Sequence, residues 1–218
     1  MSIQYVFCTS DHVYQFNVDI DRVKTIVPPE TEWEALECDQ CDNCPLSPSA
    51  HGVCPAARDM RPLIDQFSQM KGANSVTVEV VTDQRTYLKE TRWQEGLKSL
   101  VGLVLATSQC PILGALRSSA YFHLPFASPS EFVTRAASMY LLKQHFARQS
   151  GEVPDWEFVH LREFNTQLQG VNKALWQRLL KAEAGEVILT AMLDFFEMSS
   201  ALSHGLELHL QKIRAYMI

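Results

Sequence analysis

A cluster of cysteines is the feature that most restricts how this chain can fold. Four of the six cysteines, Cys38, Cys41, Cys44 and Cys54, fall within 17 residues. Two residues separate each of the first three, and nine residues lie between Cys44 and Cys54. A Cys-x2-Cys step brings two sulfurs to one ion from a tight turn, and the other two cysteines complete a set of four thiolates. The spacing therefore predicts that these four residues are metal ligands in a loop.

The number of thiolates leaves the identity of the metal open. Four thiolates fill the tetrahedral shell of Zn²⁺ at Zn–S distances of about 2.3 Å and leave no open position. Four thiolates also hold a [4Fe–4S] cluster, in which the remote cysteine is often followed by proline, as Cys54 is by Pro55. We expect zinc, with the cluster as the alternative and a loop of metal-free thiols as a third possibility. His51 is interpreted as a solvent-facing loop residue, because four thiolates already complete the shell.

Within this stretch the motif resembles the cluster-binding runs of bacterial ferredoxins, which also combine Cys-x2-Cys-x2-Cys with a Cys-Pro step. The resemblance covers residues 38–55 and differs in its last spacing, which is nine residues here instead of three. Asp39 and Asp42 add negative charge beside an anionic site, and a second set of four cysteines is absent from the sequence. These differences argue against a role in electron transfer.

Composition limits the class of protein. A chain of 218 residues with 46% hydrophobic and 20% charged residues can bury a substantial core. Its net charge of −6 argues against nucleic-acid binding, for which basic surfaces are needed. The uncharged run 99–116 has a continuous apolar part of only residues 100–106, far short of the ~20 that cross a membrane. With no signal-like N-terminal segment, we expect a cytoplasmic protein without membrane contact, in which clustered cysteines favour metal over disulfides.

Alternating polarity predicts two β-hairpins, over residues 3–20 and over residues 75–91. In the first, Tyr14, Phe16 and Val18 fall on one face of a strand, and polar residues occupy the other face. Together the hairpins predict a small antiparallel sheet with the cysteine loop inserted between them. We assign this sheet and its metal-binding loop, residues 38–55, to an N-terminal domain of residues 1–91.

The rest of the chain, residues 92–218, is predicted to be a helical bundle that packs on the sheet as one unit, so the fold class is α+β. Two capping boxes, at Thr91–Gln94 and at Ser128–Glu131, are predicted to begin helices. In such a box the side chains of the first and last residue satisfy backbone N–H groups that the helix leaves unpaired.

Two C-terminal helices are predicted from apolar residues spaced alternately three and four apart, over residues 158–179 and 188–216. The connection at 182–186 is short, so the helices should pack antiparallel. Asn165 and Asn172 interrupt the first apolar stripe, and a polar residue in such a seam usually fixes its register. We expect the remaining surface of these helices to bind a protein partner or a second copy of the chain.

Cys110 is separate from the cluster in sequence. It is predicted at the C-terminus of a helix, where the negative end of the helix dipole raises the pKa of a thiol. We therefore expect a structural role for Cys110, with a fifth thiol near the metal or a reactive cysteine as alternatives.

Four stretches of the chain together resemble an uncharacterised family of bacterial proteins of unknown function. They are the cysteine run, residues 107–111, residues 122–126 and the helix through Tyr140. The resemblance covers most of the chain, implies a bacterial cytosolic protein and brings no activity with it. It draws attention to Arg117 and His123. Their simpler interpretations are a surface ion pair and a capped loop position.

Motifs of the common enzyme classes are absent from the sequence. It has no phosphate-binding loop, dinucleotide turn, hydrolase nucleophile elbow or His-Glu-x2-His helix. Glu157 and His160 form one Glu-x2-His step, but a di-iron bundle needs two. The sequence therefore predicts a non-catalytic metal-binding protein with a structural four-cysteine zinc site and a helical interaction domain. The alternative is a [4Fe–4S] redox or sensor protein.

Overall fold

The computed structural model describes residues 1–21, 28–71 and 75–217. Within these residues the chain forms four strands, with one α-helix between the second and the third, and six α-helices follow the fourth strand. The fold class predicted from sequence, α+β, is confirmed. The strands are β1 (Ser2–Cys8), β2 (Val13–Asp19), β3 (Ser75–Val81) and β4 (Thr86–Arg92). The helices are α1 (Pro55–Phe67), α2 (Trp93–Ala106), α3 (Arg117–Tyr121), α4 (Pro129–Gln149), α5 (Val159–Lys181), α6 (Glu186–His204) and α7 (Leu206–Arg214).

The strands form one antiparallel sheet in the order β2-β1-β3-β4. Both predicted hairpins are confirmed, and β1 and β3 join them at the centre of the sheet. Tyr5 of β1, for example, pairs with Phe16 on one side and Val80 on the other. The cysteine loop and α1 lie in the connection between β2 and β3, as the sequence predicted for the loop.

One face of the sheet is buried and the other faces solvent. The buried face carries alternate residues of the central strands: Ile3, Tyr5, Phe7, Val76, Val78 and Val80. Helices α1 and α2 cover it, with the Phe7 ring centroid 5.2 Å from that of Phe67 and 5.3 Å from that of Trp93. Residues of α5 and α6 belong to the same hydrophobic cluster. The side chains of the sheet and of these helices thus share one core.

The apolar stripes predicted for the C-terminal helices are largely confirmed. In α5 the stripe is buried from Leu161 to Leu179, including Asn165 and Asn172. In α6 it is buried from Ile188 onward. The prediction of one helix over 188–216 is wrong, because the helix ends at His204 and α7 begins after Gly205. None of the helices in the described part of the chain is long and apolar enough to span a membrane.

The two predicted capping boxes have opposite outcomes. At the start of α4 the box is confirmed: the Ser128 hydroxyl accepts a hydrogen bond from the backbone N–H of Glu131, and the Glu131 carboxylate accepts one from the N–H of Ser128. The prediction of a box at Thr91 is wrong, because Thr91 belongs to β4, where it pairs with Val76, and α2 begins at Trp93.

A first prediction concerns Gly185, which joins α5 to α6 in the left-handed region at φ +82°. A Cβ there would lie 2.0 Å from the carbonyl oxygen of Ser68, which is backbone and cannot move aside. Gly151 has a similar φ of +85° but open space around it. We expect Gly151→Ala to lower the free energy of unfolding by about 1 kcal/mol, and Gly185→Ala to lower it by about 3 kcal/mol or more. Urea denaturation measures both, and equal losses would contradict the close approach.

A second prediction concerns Asp155, which organises the start of α5. Its carboxylate accepts hydrogen bonds from the Tyr140 hydroxyl and from the backbone N–H groups of Glu157 and His160. Burial opposes ionisation of Asp155, but these bonds outweigh it and lower the pKa of the carboxyl from 3.8 to about 2. A carboxyl with a depressed pKa contributes stability above its unfolded-state pKa and loses it as pH falls through the folded-state value.

Asp155→Asn should therefore be less stable than the wild type near neutral pH, and this difference should shrink as pH falls from about 4 to about 2. Urea unfolding at a series of pH values measures the difference. The exposed Asp83→Asn variant is the control, and a pH-independent difference for Asp155→Asn would contradict the assignment.

Candidate metal centre

The cysteine loop is closed at its base by backbone pairing. Ala35 and Val53 form an isolated antiparallel bridge. The N–H of Cys54 donates to the carbonyl of Glu34 at 2.8 Å, and the N–H of Leu36 donates to the carbonyl of Gly52 at 3.1 Å. The loop therefore begins and ends at one point, and α1 follows directly with Cys54 as its N-terminal capping residue.

A buried carboxylate fixes the approach to this base. The Glu34 side chain is fully buried and accepts hydrogen bonds from the backbone N–H groups of Glu30 and Thr31. It also forms ion pairs with Arg58 at 3.3 Å and Arg61 at 3.6 Å. Burial alone would raise the pKa of Glu34, but the two amides and the two guanidinium groups together lower it. The charged form is thus held in place, and it anchors the loop to α1.

Three side-chain contacts attach the loop to α5. The guanidinium of Arg178, which is 1% exposed, donates to the carbonyl oxygens of Trp33, Ala35 and Leu36 at 2.7–2.9 Å. Further along the loop, Asp39 pairs with Lys181 at 2.8 Å. The Asn43 amide donates to the carbonyl of Gln167 at 3.0 Å. The loop therefore lies along α5 although more than 120 residues separate them in sequence.

Four cysteines line one small cavity between the loop, α1, α5 and the segment after α2. They are Cys41, Cys44, Cys54 and Cys110. The other walls are mainly apolar: Leu36, Leu46, Ala56, Ile112, Val171 and Leu175, with Arg178 as the charged residue. Cys54 and Cys110 are buried, and Cys41 and Cys44 are half-buried. Three of the four predicted ligands are thus brought together, and the fourth member of the set is Cys110.

Cys38, the remaining predicted ligand, does not line this cavity. Its sulfur lies 3.6 Å from the ammonium nitrogen of Lys181 and 3.6 Å from a carboxylate oxygen of Asp39. Asp39, which lies between Cys38 and Cys41, has a left-handed backbone conformation with φ +41°. A ligand role for Cys38 stays a prediction.

The thiols surround the cavity without meeting at one point. Within the described residues, no three Cys, His, Asp or Glu side chains form a group that could hold a metal ion. The cysteines are nevertheless close enough to affect one another electrostatically. Burial, the largest cause, and the neighbouring Cys54, Cys44 and Cys110 together raise the pKa of Cys41 to about 12, against the charge of Arg178.

Backbone amides and one cation favour the thiolate forms. Burial raises the pKa of Cys54, while Arg178 and the amides of Ala57 and Ala56 at the start of α1 act in the opposite direction. Burial also raises the pKa of Cys110, and the amides of Leu113 and Ile112 oppose it. Hydrogen bonds to sulfur of this kind tune both zinc and iron–sulfur centres. Thiols, backbone amides and a guanidinium, the groups that surround an anionic metal–thiolate centre, thus lie together around this cavity.

Cys110, Arg117 and His123, which the sequence singled out, lie in three different environments. Cys110 belongs to the thiol cavity. Arg117 forms an exposed ion pair with Asp21 at 3.1 Å, in agreement with its simpler interpretation. His123 accepts or donates a 2.6 Å hydrogen bond with the Tyr5 hydroxyl and lines a second cavity. The three residues therefore do not form one pocket.

Sequence reasoning missed Arg178 and gave Cys110 a place near the metal only as an alternative to a structural role. Cys110 lies 56 residues beyond Cys54, so spacing does not connect them. One signal was available: Cys44, Cys54 and Cys110 are each followed directly by proline. No sequence pattern indicated Arg178, because a position on the buried side of a helix does not show that its partners are carbonyl oxygens of a distant loop.

Comparison with known proteins gives a family. The model of a domain of unknown function, DUF6901, matches residues 1–217. No curated protein and no solved structure matches the chain.

A third prediction tests how the loop is held. Arg178→Met keeps an unbranched apolar stem but removes the guanidinium and leaves three buried carbonyl oxygens without this donor. Losing charge-assisted hydrogen bonds of this kind should lower the free energy of unfolding by about 3 kcal/mol. Arg162→Met, on an exposed position of the same helix, is the control and should change it by less than about 0.5 kcal/mol. Urea denaturation of both variants measures the difference, and similar values would contradict the structural role of Arg178.

Proposed function

The chain belongs to this family of unknown function, and we propose that it is a metal-binding protein whose centre is a [4Fe–4S] cluster held by Cys41, Cys44, Cys54 and Cys110. The observation that carries the proposal is that these four thiols line a single cavity. Two of them come from the loop, one from the start of α1 and one from the segment after α2. Four thiolates are the ligand set that such a cluster needs.

The positions of the thiols in the chain support a cluster as the first candidate. In a [4Fe–4S] cluster each thiolate binds a different iron, so the sulfurs stand around the group. In a zinc site all four must approach one point at about 2.3 Å. The four thiols reach one cavity from three separate segments of the chain, an arrangement that supplies one thiolate to each iron of a cluster. The proline after Cys44, Cys54 and Cys110 is a further point of similarity with cluster-binding sequences.

The residues around the thiols have distinct tasks in this proposal. When bound, the cluster supplies a one-electron redox centre. The apolar side chains of the cavity exclude water from it, and the Arg178 charge offsets part of the negative charge of four thiolates. The amides of Ala56, Ala57, Ile112 and Leu113 donate toward the sulfurs of Cys54 and Cys110. Because all ligand positions belong to cysteines, the centre has no open position for a substrate. We therefore propose a redox or sensor role without catalysis.

Structural zinc is the second candidate. The Cys41-x2-Cys44 step, with the N–H of Cys44 donating to the carbonyl of Cys41 at 3.0 Å, is a tight turn of the kind that zinc sites use. In this candidate the zinc ligands are the four predicted from sequence: Cys38, Cys41, Cys44 and Cys54. Zinc would then stabilise the loop and leave any biological role to the helices.

The remaining elements of the prediction concern partners and cellular setting. Exposed apolar side chains on and after α7, namely Leu208, Tyr216 and Met217, support binding of a protein partner or a second copy. The net charge of −6 supports the absence of nucleic-acid binding. A bacterial cytoplasmic setting is proposed because its reducing conditions keep thiols available for metal.

Metal analysis after purification without oxygen tests the proposal. We expect a brown protein with broad visible absorption and about four iron and about four sulfide per chain. Adding oxygen should bleach it. A colourless protein with one zinc per chain would replace the cluster by the second candidate, and a protein without bound metal would refute both.

A fourth prediction identifies the ligands through two substitutions with opposite expected results. If the cavity thiols are the ligands, Cys110→Ser lowers the bound iron strongly, whereas Cys38→Ser leaves it unchanged. If the ligands are those predicted from sequence spacing, the two results are exchanged. Cys8→Ser is the control, because Cys8 lies in β1 and does not line the cavity. Iron content and visible absorption per chain are the measurements, with circular dichroism to confirm folding.

A further inference from the structure

A second cavity, separate from the thiol cavity, lies among α2, α4, α5 and α6. Its volume is about 200 Å³. Most of its lining is apolar, and it includes Leu103 of α2, Met139 of α4, Leu168 of α5 and Phe195 of α6. An apolar cavity of about 150 Å³ accommodates a molecule the size of benzene. The space therefore suits a small apolar molecule or a short hydrocarbon chain.

Polar groups are concentrated in one part of this lining. The Tyr5 hydroxyl, on the buried face of the sheet, forms hydrogen bonds of 2.8 Å with Ser99 and 2.6 Å with His123. Ser99 and His123 both line the cavity, and so does Arg135. Arg135 lies near this network, since the charge of its guanidinium acts on both Tyr5 and His123. The cavity thus combines a hydrocarbon-like interior with a polar region that contains a cation.

The charges of the lining are all of one sign. Lys98, Arg135 and Lys143 line the cavity, and none of the described residues that line it is Asp or Glu. Lys98 is paired with Glu95 at 2.7 Å. Arg135 is half-buried and donates to the carbonyl of Phe122 at 3.3 Å, but among the described residues it forms no ion pair. Burial lowers the pKa of Arg135, and the charge of Glu131, one turn earlier on α4, acts in the opposite direction. An anion bound in the cavity would stabilise the buried guanidinium further.

We propose that this cavity binds a small amphipathic carboxylate, a molecule with a hydrocarbon tail of medium length and one carboxylate group. The tail occupies the apolar interior, and the carboxylate lies against Arg135 with Ser99 and His123 beside it. Arginine suits this task because its planar guanidinium presents paired donors to a carboxylate. Burial lowers the pKa of His123 to about 3. The ring is therefore neutral near pH 7, and the positive charge in this region belongs to Arg135.

The chemistry of the cavity distinguishes this ligand from two others. A purely apolar molecule would use the interior but leave the half-buried Arg135 charge without an anion, which is a cost in a poorly solvated site. A highly charged phosphate ester would need more charged donors than Arg135 supplies in the polar region, since Lys98 is paired with Glu95 and Lys143 with the carbonyl of Ala115. Arg135 is therefore the cation that we assign to the single carboxylate of the ligand.

Calorimetric titration of the intact protein with octanoate tests the proposal, with octanol as the uncharged ligand of equal chain length. We expect octanoate to bind at least tenfold more tightly than octanol. Arg135→Gln should weaken octanoate binding by about tenfold, since a charge-assisted hydrogen bond contributes about 1.5 kcal/mol or more. It should leave octanol binding unchanged. Lys173→Gln, an exposed change on α5, is the matched control and should affect neither ligand.

A second variant tests the apolar interior independently of charge. Ala136, one residue beyond Arg135 on α4, also lines the cavity, and Ala136→Leu would fill part of it. We expect this variant to bind both octanoate and octanol more weakly, while circular dichroism and thermal unfolding show a folded protein. The proposal is overturned if octanoate does not bind, if octanol binds as tightly as octanoate, or if Arg135→Gln leaves octanoate binding unchanged.

Discussion

The contact on which the candidate metal centre depends most is the one between Arg178 and the backbone at the base of the cysteine loop. A buried guanidinium is unfavourable unless its donors are satisfied. Here three carbonyl oxygens, of Trp33, Ala35 and Leu36, receive them. The same side chain lines the thiol cavity. One residue of α5 therefore positions the loop and places a positive charge beside the sulfurs.

How well the sequence predicted each element depended on whether the deciding interaction was local. The box at Ser128 is a contact between residues three apart, and it formed as predicted. The predicted box at Thr91 had the same kind of pattern, but Thr91 pairs with Val76 in the neighbouring strand, so its backbone belongs to the sheet. The apolar stripe of α6 continued past Gly205 in sequence, yet the helix ended there. Patterns identify the face that is buried, whereas strand pairing and glycine decide where an element stops.

The candidate site was predictable to the same extent. The Cys-x2-Cys spacing predicted that thiols of the loop lie together, and three of the four predicted ligands do line one cavity, while a metal there stays a prediction. It did not distinguish Cys38, which contacts Lys181, from Cys110, which reaches the cavity from the segment after α2. That choice depends on how α2 and α5 pack around the loop. Such packing is a property of the whole core and leaves no trace in the spacing of the cysteines.

The segment that supplies Cys110 also connects the two cavities. Cys110 and Ile112 line the thiol cavity, and residues 115–119, a few positions further on, contribute Ala115, Leu116 and two serines to the second cavity. Helix α5 does the same with Leu168 on one side and Leu175 on the other. Protein interiors are close-packed and transmit small displacements. The proposed centre and the proposed carboxylate site therefore share two walls, the segment 110–119 and helix α5.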